Sequence, residues 1–175
     1  NTWSTSLLNK TNLNTNFINY IGTEWSNKIA TTTWKVGGGT NLSNSVPKTA
    51  YQYEVGSNAS STTYAAKIGM MYVSDYYYAA GPSAWTLVGY NESDSTKDYR
   101  TAKTINWMDM GWFEWTISRY SDNQHGAFLV HIYGLLMDNF SVSVNSVGVR
   151  PAFNLLPSIT YVSGDGTKSN PIRLS

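Results

Sequence analysis

The 175-residue chain is predicted to be α+β, with its helices gathered near the N-terminus and most strands after them. Two observations carry this. Leu7, Leu8, Leu13, Phe17, Ile18 and Ile21 recur at three- and four-residue steps, the spacing of one helix face. Beyond the second helix that period gives way to short β-branched and aromatic runs, separated by Gly, Asn, Ser and Pro clusters. Length and a hydrophobic content of 41% allow one sizeable core, so residues 1–175 are expected to form a single domain.

In chain order, Ser6 is the expected cap of the first helix, because its hydroxyl can accept an orphan backbone N–H, and Gly22 is the expected stop. "TEWSNKIA" predicts a second, short helix. "TTTWKVGGG", "YQYEVG", "KIGMMYVSDYYYA", "FEWTISRY", "AFLVHIYG", "VGVRPAFNL" and "PIRLS" predict strands, with "VGGGTNLSNSVPK" and "YNESDSTKDYR" as loops. In "FLVHIY", strand alternation puts Phe128, Val130 and Ile132 on one face, expected to be core, and Leu129, His131 and Tyr133 on the other.

Charged residues are 13% of the chain, against about 25% in ordinary soluble domains. In their place stand 21 Ser, 19 Thr and 17 Asn, a neutral surface rich in hydroxyls and amides. A net charge of +1 without basic runs leaves little counterion release for nucleic-acid binding. No stretch has the roughly 18 apolar residues of a membrane span. The chain has no cysteine, which excludes thiolate catalysis, zinc-thiolate sites and disulfides. That fits a bacterial or phage surface module, and a start at Asn1 without Met suggests a piece of a longer surface protein.

"GVRPAFNL", with "KIGMMYVSDYYYAA", "NWMDMGWFEWTISR" and "SGDGTKSNPIRLS", resembles bacterial surface domains related to the C-type-lectin-like and formylglycine-generating-enzyme folds. In that superfamily a late strand carries a Gly-hydrophobic-Arg signature, matched by Gly148, Val149 and Arg150. The resemblance implies an N-terminal helix packed beside a twisted, irregular, mainly antiparallel sheet. It does not bring the cysteine-dependent activity, since cysteine is absent. The stretch 119–146 also resembles the variable segment of diversity-generating retroelement proteins, in which adenine mutagenesis turns Asn codons into many others but never into Lys, Glu or Trp. None of those three occurs from Arg119 to Ser146, although Gln124 and Met137 lie outside the accessible set.

The candidate ligand-binding surface is therefore His131 and Tyr133, with Tyr120, Asp122, Asn123 and His125 from the preceding loop and Asp138, Asn139 and Phe140 from the following one, where "LLMDNF" keeps no single period. Tyr supplies rigid amphipathic area, while Asn, Asp and His supply adaptable hydrogen bonds. The expected partner is a protein or glycan on another surface, met outside a bacterial cell or on a phage, with no cofactor and no metal. A passive pilus or fibre module is the alternative, and a glycosidase using Asp109 and Glu114 a remoter one, whose chemistry depends on a separation the sequence does not give. Arg150 is expected to serve a partly buried ion pair or carbonyl rather than an anionic ligand. Trp107, Trp112 and Trp115 are expected to pack in the core rather than stack on sugars. "GDGTKSN" lacks the alternating oxygen ligands of a calcium loop and predicts a hairpin turn. His125 and His131, the two histidines, are expected to be solvated or ligand-facing.

Overall fold

Ser6 does cap the first helix: its Oγ accepts the Asn9 N–H at 3.1 Å. The computed structural model describes residues 2–59, 62–85 and 104–175, and the predicted loop "YNESDSTKDYR" lies outside them. A 3-10 turn (Trp3–Thr5) leads into a π-wound stretch (Leu8–Phe17) that runs into α1 (Ile18–Tyr20). Leu13 is buried in the core, Leu8, Phe17, Ile18 and Ile21 pack half-buried against it, and Leu7 is left 77% exposed. Two asparagines fix this helix to the rest of the chain. Asn9, fully buried, donates to the Trp3 carbonyl, while Asn14 accepts the Ile68 N–H and donates to the Ile68 carbonyl, both at 2.9 Å. Gly22, at φ +79, turns the chain into α2 (Gly22–Ser26), the predicted short helix.

The central sheet has the order β2-β5-β6-β7, formed by β2 (Gly38–Gly39), β5 (Glu114–Tyr120), β6 (Gly126–Val130) and β7 (Leu136–Ser141). β2 runs parallel to β5, and the other two pairings are antiparallel. Around it lie three two-stranded antiparallel pairs: β1 (Thr32–Lys35) with β3 (Thr63–Ala66), β4 (Gly69–Met70) with β8 (Pro151–Ala152), and β9 (Tyr161–Ser163) with β10 (Arg173–Leu174). With α3 (Pro47–Glu54) and α4 (Val73–Tyr78) the class is α+β, four helices and several mainly antiparallel sheets.

Three sequence expectations fail here. "YQYEVG" is mainly helical, "KIGMMYVSDYYYA" is extended only at Gly69–Met70 and helical over Val73–Tyr78, and Asp138, Asn139 and Phe140 lie in strand β7, not in a loop. α3 carries a start signal in Pro47 at its first turn, where the missing N–H costs nothing. α4 is started from a distance: the Glu54 carboxylate accepts the Val73 and Ser74 N–H groups at 2.8 and 3.0 Å, and Asp75 accepts the Tyr72 N–H at 2.8 Å. The "GDGTKSN" turn is as expected, joining β9 to β10 with Asp165 accepting the Thr167 N–H at 2.9 Å.

Both faces of the sheet are buried. Ala127 and Leu129 enter one core cluster with Trp3, Trp34, Ile68, Trp115 and Ile117; Phe128 and Val130 enter the other with Leu42, Val73, Tyr76, Tyr77 and Leu136. Alternating residues of one strand point to opposite faces, so the predicted alternation in β6 holds while its outward face does not. Leu129 is core, and Ile132 lies beyond the strand and is half-buried. β5 alternates apolar with polar residues, and the polar ones are buried with partners of their own. Glu114 pairs with Arg150, Thr116 Oγ1 donates to the Phe128 carbonyl at 2.9 Å, and Ser118 Oγ donates to Glu54.

Candidate functional site

The nine residues proposed from the sequence do not form one surface. β6 is five residues long, so at about 3.3 Å per residue its two turns stand roughly 17 Å apart. Asp122, Asn123 and His125 lie on the β5–β6 turn, His131 and Tyr133 on the β6–β7 turn. Asn139 belongs with the first group, since its Oδ1 accepts the Asn123 Nδ2–H at 2.9 Å.

A β-bulge explains why "LLMDNF" has no single period. Ala127 pairs with Phe140 and Leu129 with Met137, so Asp138 and Asn139 together oppose Phe128. Asn139 takes φ +49, which Asn tolerates better than most residues. The extra residue puts Met137 and Phe140 on the same face, both against the first core cluster. Phe140 is accordingly not outward: it is half-buried, with its ring 6.2 Å from that of Phe113 and 6.0 Å from that of Trp115. Asp138 is half-buried and accepts the Ser43 Oγ–H at 3.3 Å. Tyr120 is half-buried too, tilted on Phe128 at 5.9 Å within the second cluster. Gly126 leaves room beside the bulge, where a Cβ would stand 3.2 Å from the Asn139 Cα and 3.1 Å from the Tyr120 Cβ.

At the β6–β7 end stands a built aromatic platform. His131 meets Phe113 edge to face at 4.7 Å and Tyr133 at 4.9 Å. Tyr133 is 53% exposed. The turn beneath it is held three ways: the His131 N–H donates to the Leu135 carbonyl, the Gly134 N–H to the His131 carbonyl, and buried Tyr76 donates its hydroxyl to the Gly134 carbonyl at 2.9 Å. Gly134 sits at φ +77, as this turn requires. Burial holds the His131 imidazole below its ordinary pKa, and its Nδ1 accepts the Tyr133 N–H at 3.3 Å, so the neutral ring carries its proton on Nε2.

Trp112, which precedes Phe113 in the chain, is exposed and lies by Gly148, its Cδ1 3.5 Å from where a Cβ on that glycine would stand. Core packing is the sequence expectation for three tryptophans, but only Trp115 is buried; Trp107 and Trp112 are 79% and 61% exposed. The signal lies in the spacing. Trp112 and Trp115 are three apart, so in extended backbone they face opposite ways. Trp107 instead borders a cavity of about 360 Å³ with Tyr78, Met108 and Arg150.

Arg150 has the structural role expected of it. Its Nε and Nη2 donate to the two oxygens of Glu114, each at 2.8 Å, and Nη2 also donates to the Met108 carbonyl at 2.6 Å. Burial raises the Glu114 carboxyl while Arg150 pulls it down. Among the described residues no three His, Asp or Glu side chains gather as metal ligands, and no helix is long and apolar enough to cross a membrane. Comparison of the chain with family models, with curated proteins and with solved structures found no match in any of the three.

Proposed function

We propose that this chain is a non-enzymatic ligand-binding domain that recognises a protein or glycan through the aromatic end of its sheet. The observation that carries the reading is Tyr133, half exposed on a turn anchored by Tyr76 and backed by His131 and Phe113. A ring already held in place loses little conformational freedom on binding, and aromatic residues carry a large share of interface energy. Asp122, Asn123, His125 and Asn139 form a second, polar patch at the other end of β6, suited to peripheral contacts. The glycosidase reading is not retained, because both oxygens of Glu114 are engaged by Arg150.

The finer fold, C-type-lectin-like, belongs to this proposal, supported by the early helix, the irregular sheet and the "GVRP" segment. So do display outside a bacterial cell or on a phage, supported by the cysteine-free, hydroxyl-rich composition, and diversification of 119–146 by a retroelement. Screening on glycan and cell-surface protein arrays tests the function. The expected result is a ligand whose binding is lost in Tyr133→Ala, and a ligand bound equally by that variant would overturn the assignment. A near-copy of the codons for 119–150 beside a reverse transcriptase, differing at adenines, tests diversification.

A further inference from the structure

A second site lies at the end of α4, turned away from the Tyr133 platform. Tyr76 of this helix is buried and holds the Tyr133 turn, whereas Tyr78, about 200° further around the helix, is 53% exposed and borders the cavity of about 360 Å³ together with Trp107. That volume is within the range of small-molecule sites. Trp107 is 79% exposed, so at least one face of its indole is open and adds nothing to the core. Its backbone is nonetheless tied down on both sides. Asn106 is buried, donating its amide to the Tyr76 carbonyl at 2.7 Å and accepting the Met108 N–H at 3.0 Å. The Trp107 N–H donates to the Ala79 carbonyl, and the Met108 carbonyl accepts Arg150 Nη2. Tyr78 is steadied by Trp85, whose ring it meets edge to face at 5.8 Å. Two aromatic rings are thus presented from a fixed frame, which lowers the entropy lost on binding.

The polar groups on this cavity are accessible and only partly engaged. Arg150 commits Nε and Nη2 to Glu114 and the Met108 carbonyl, while its Nη1 has no partner among the described residues and its side chain stays 26% exposed. Asp75 is exposed too. One of its carboxylate oxygens accepts the Tyr72 N–H, and the other accepts nothing among the described residues. A guanidinium only donates and an ionised carboxylate only accepts, whereas a hydroxyl does both. An organic ammonium would leave the Nη1 donors unmatched, and an organic acid would set its charge against Asp75. A neutral polyol answers both groups. Met71 and Met108 supply apolar wall between them.

We infer that this cavity binds one neutral pyranose ring, its C–H face resting on Trp107 and its hydroxyls donating to Asp75 and accepting from Arg150 Nη1. An aromatic face offers the broad apolar area that such a ring covers. A pyranose carries hydroxyls all round its rim, so Asp75 and Arg150 need not meet at one point. Hydrogen bonds to ionised groups are the stronger class, and here each charged partner is bonded to the protein before the sugar arrives. The ring can be a free sugar or one residue of a glycan.

The test is a titration of the intact protein, followed in the ¹H–¹⁵N spectrum, with the methyl glycosides of glucose, galactose, mannose and N-acetylglucosamine. Cellobiose and lactose serve as two-ring counterparts, and choline and acetate as charged controls. The Trp107 indole resonance, identified by its loss in Trp107→Ala, and the Ala79 and Met108 amides report on the cavity. At least one sugar should shift all three in a saturating manner at millimolar concentration. Read from the two amides, that sugar should bind at least fivefold more weakly to Trp107→Ala and to Asp75→Asn, and with unchanged affinity to Tyr133→Ala. Tighter binding of a two-ring sugar assigns the source as a glycan chain, and tighter binding of a single ring assigns it as a free sugar; both support the inference. Asp75→Asn keeps an acceptor for the Tyr72 N–H, and if it does not fold, the exposed Trp107→Ala decides. No saturating shift by any sugar, equal affinity in Trp107→Ala, a tighter choline or acetate than every sugar, or loss of the sugar in Tyr133→Ala would overturn it. Failure in the first three ways leaves the Tyr133 platform untouched.

Discussion

Arg150 follows Gly148 and Val149 close to a hydrophobic strand, a setting in which a guanidinium needs a partly buried partner. That partner is Glu114, a carboxylate whose side chain is only 5% exposed. Truncation in Arg150→Ala leaves the carboxylate buried and unpaired, at a cost of about 3 kcal/mol. The thermal midpoint should fall by on the order of 10 °C, whereas an unchanged midpoint would count against the structural role. Phe140 and Tyr133 form a contrasting pair. The sequence points both outward, Tyr133 by strand alternation and Phe140 as a loop residue, yet Phe140→Ala should cost about 3 kcal/mol by opening a hole between Phe113 and Trp115, and Tyr133→Ala should stay within about 0.5 kcal/mol. Chemical denaturation of the two variants checks this. The difference is not legible in the sequence because it depends on one inserted residue at the bulge.

Among elements, that bulge and the start of α4 are the two devices that sequence periodicity misses. Asn139→Gly should be nearly neutral, since glycine accepts φ +49, and Asn139→Val should cost about 1 to 2 kcal/mol for forcing a branched side chain into the left-handed region. Equal melting temperatures for the two would argue against the bulge. The start of α4 rests on Glu54, which joins α3, α4 and β5 in one buried cluster with Val73, Ser74 and Ser118. Burial pushes the Glu54 carboxyl up to about 7, against the lowering effect of the bonds it accepts from Ser118, Ser74 and Val73. The folded state thus holds a proton that the unfolded chain has released above its ordinary carboxylate range. The resulting stability is present at pH 4 to 5 and lost as pH rises through about 7. Glu54→Gln should flatten the fall in melting temperature between pH 5 and 8, and an unaltered fall would place the titration elsewhere. A contact between positions 54 and 73 has no local sequence signal, which is why "YVSDYYY" reads as a strand and folds as a helix.

For the whole molecule, the sequence supports the class, the early helices, β1, β5, β6 and the terminal hairpin, because each follows from periodicity or turn chemistry close along the chain. It does not show that β5 is buried on both faces, although the unbroken apolar run of β6 fits burial on both. The alternation of polar and apolar residues in β5 normally means a half-exposed sheet, and here Glu114, Thr116 and Ser118 are instead satisfied by partners from other elements. With the sheet enclosed, its turns are what it presents, and the nine predicted residues divide between two ends. The measurement that tests this most directly compares three alanine variants for affinity toward an array-identified ligand, with melting temperatures as control. Tyr133→Ala should weaken binding about thirtyfold, the equivalent of ~2 kcal/mol, while Asp122→Ala and His125→Ala change it only a few-fold and all three remain as stable as the parent. Loss of binding in the Asp122 and His125 variants, with Tyr133→Ala binding normally, would contradict the aromatic end as the recognition surface.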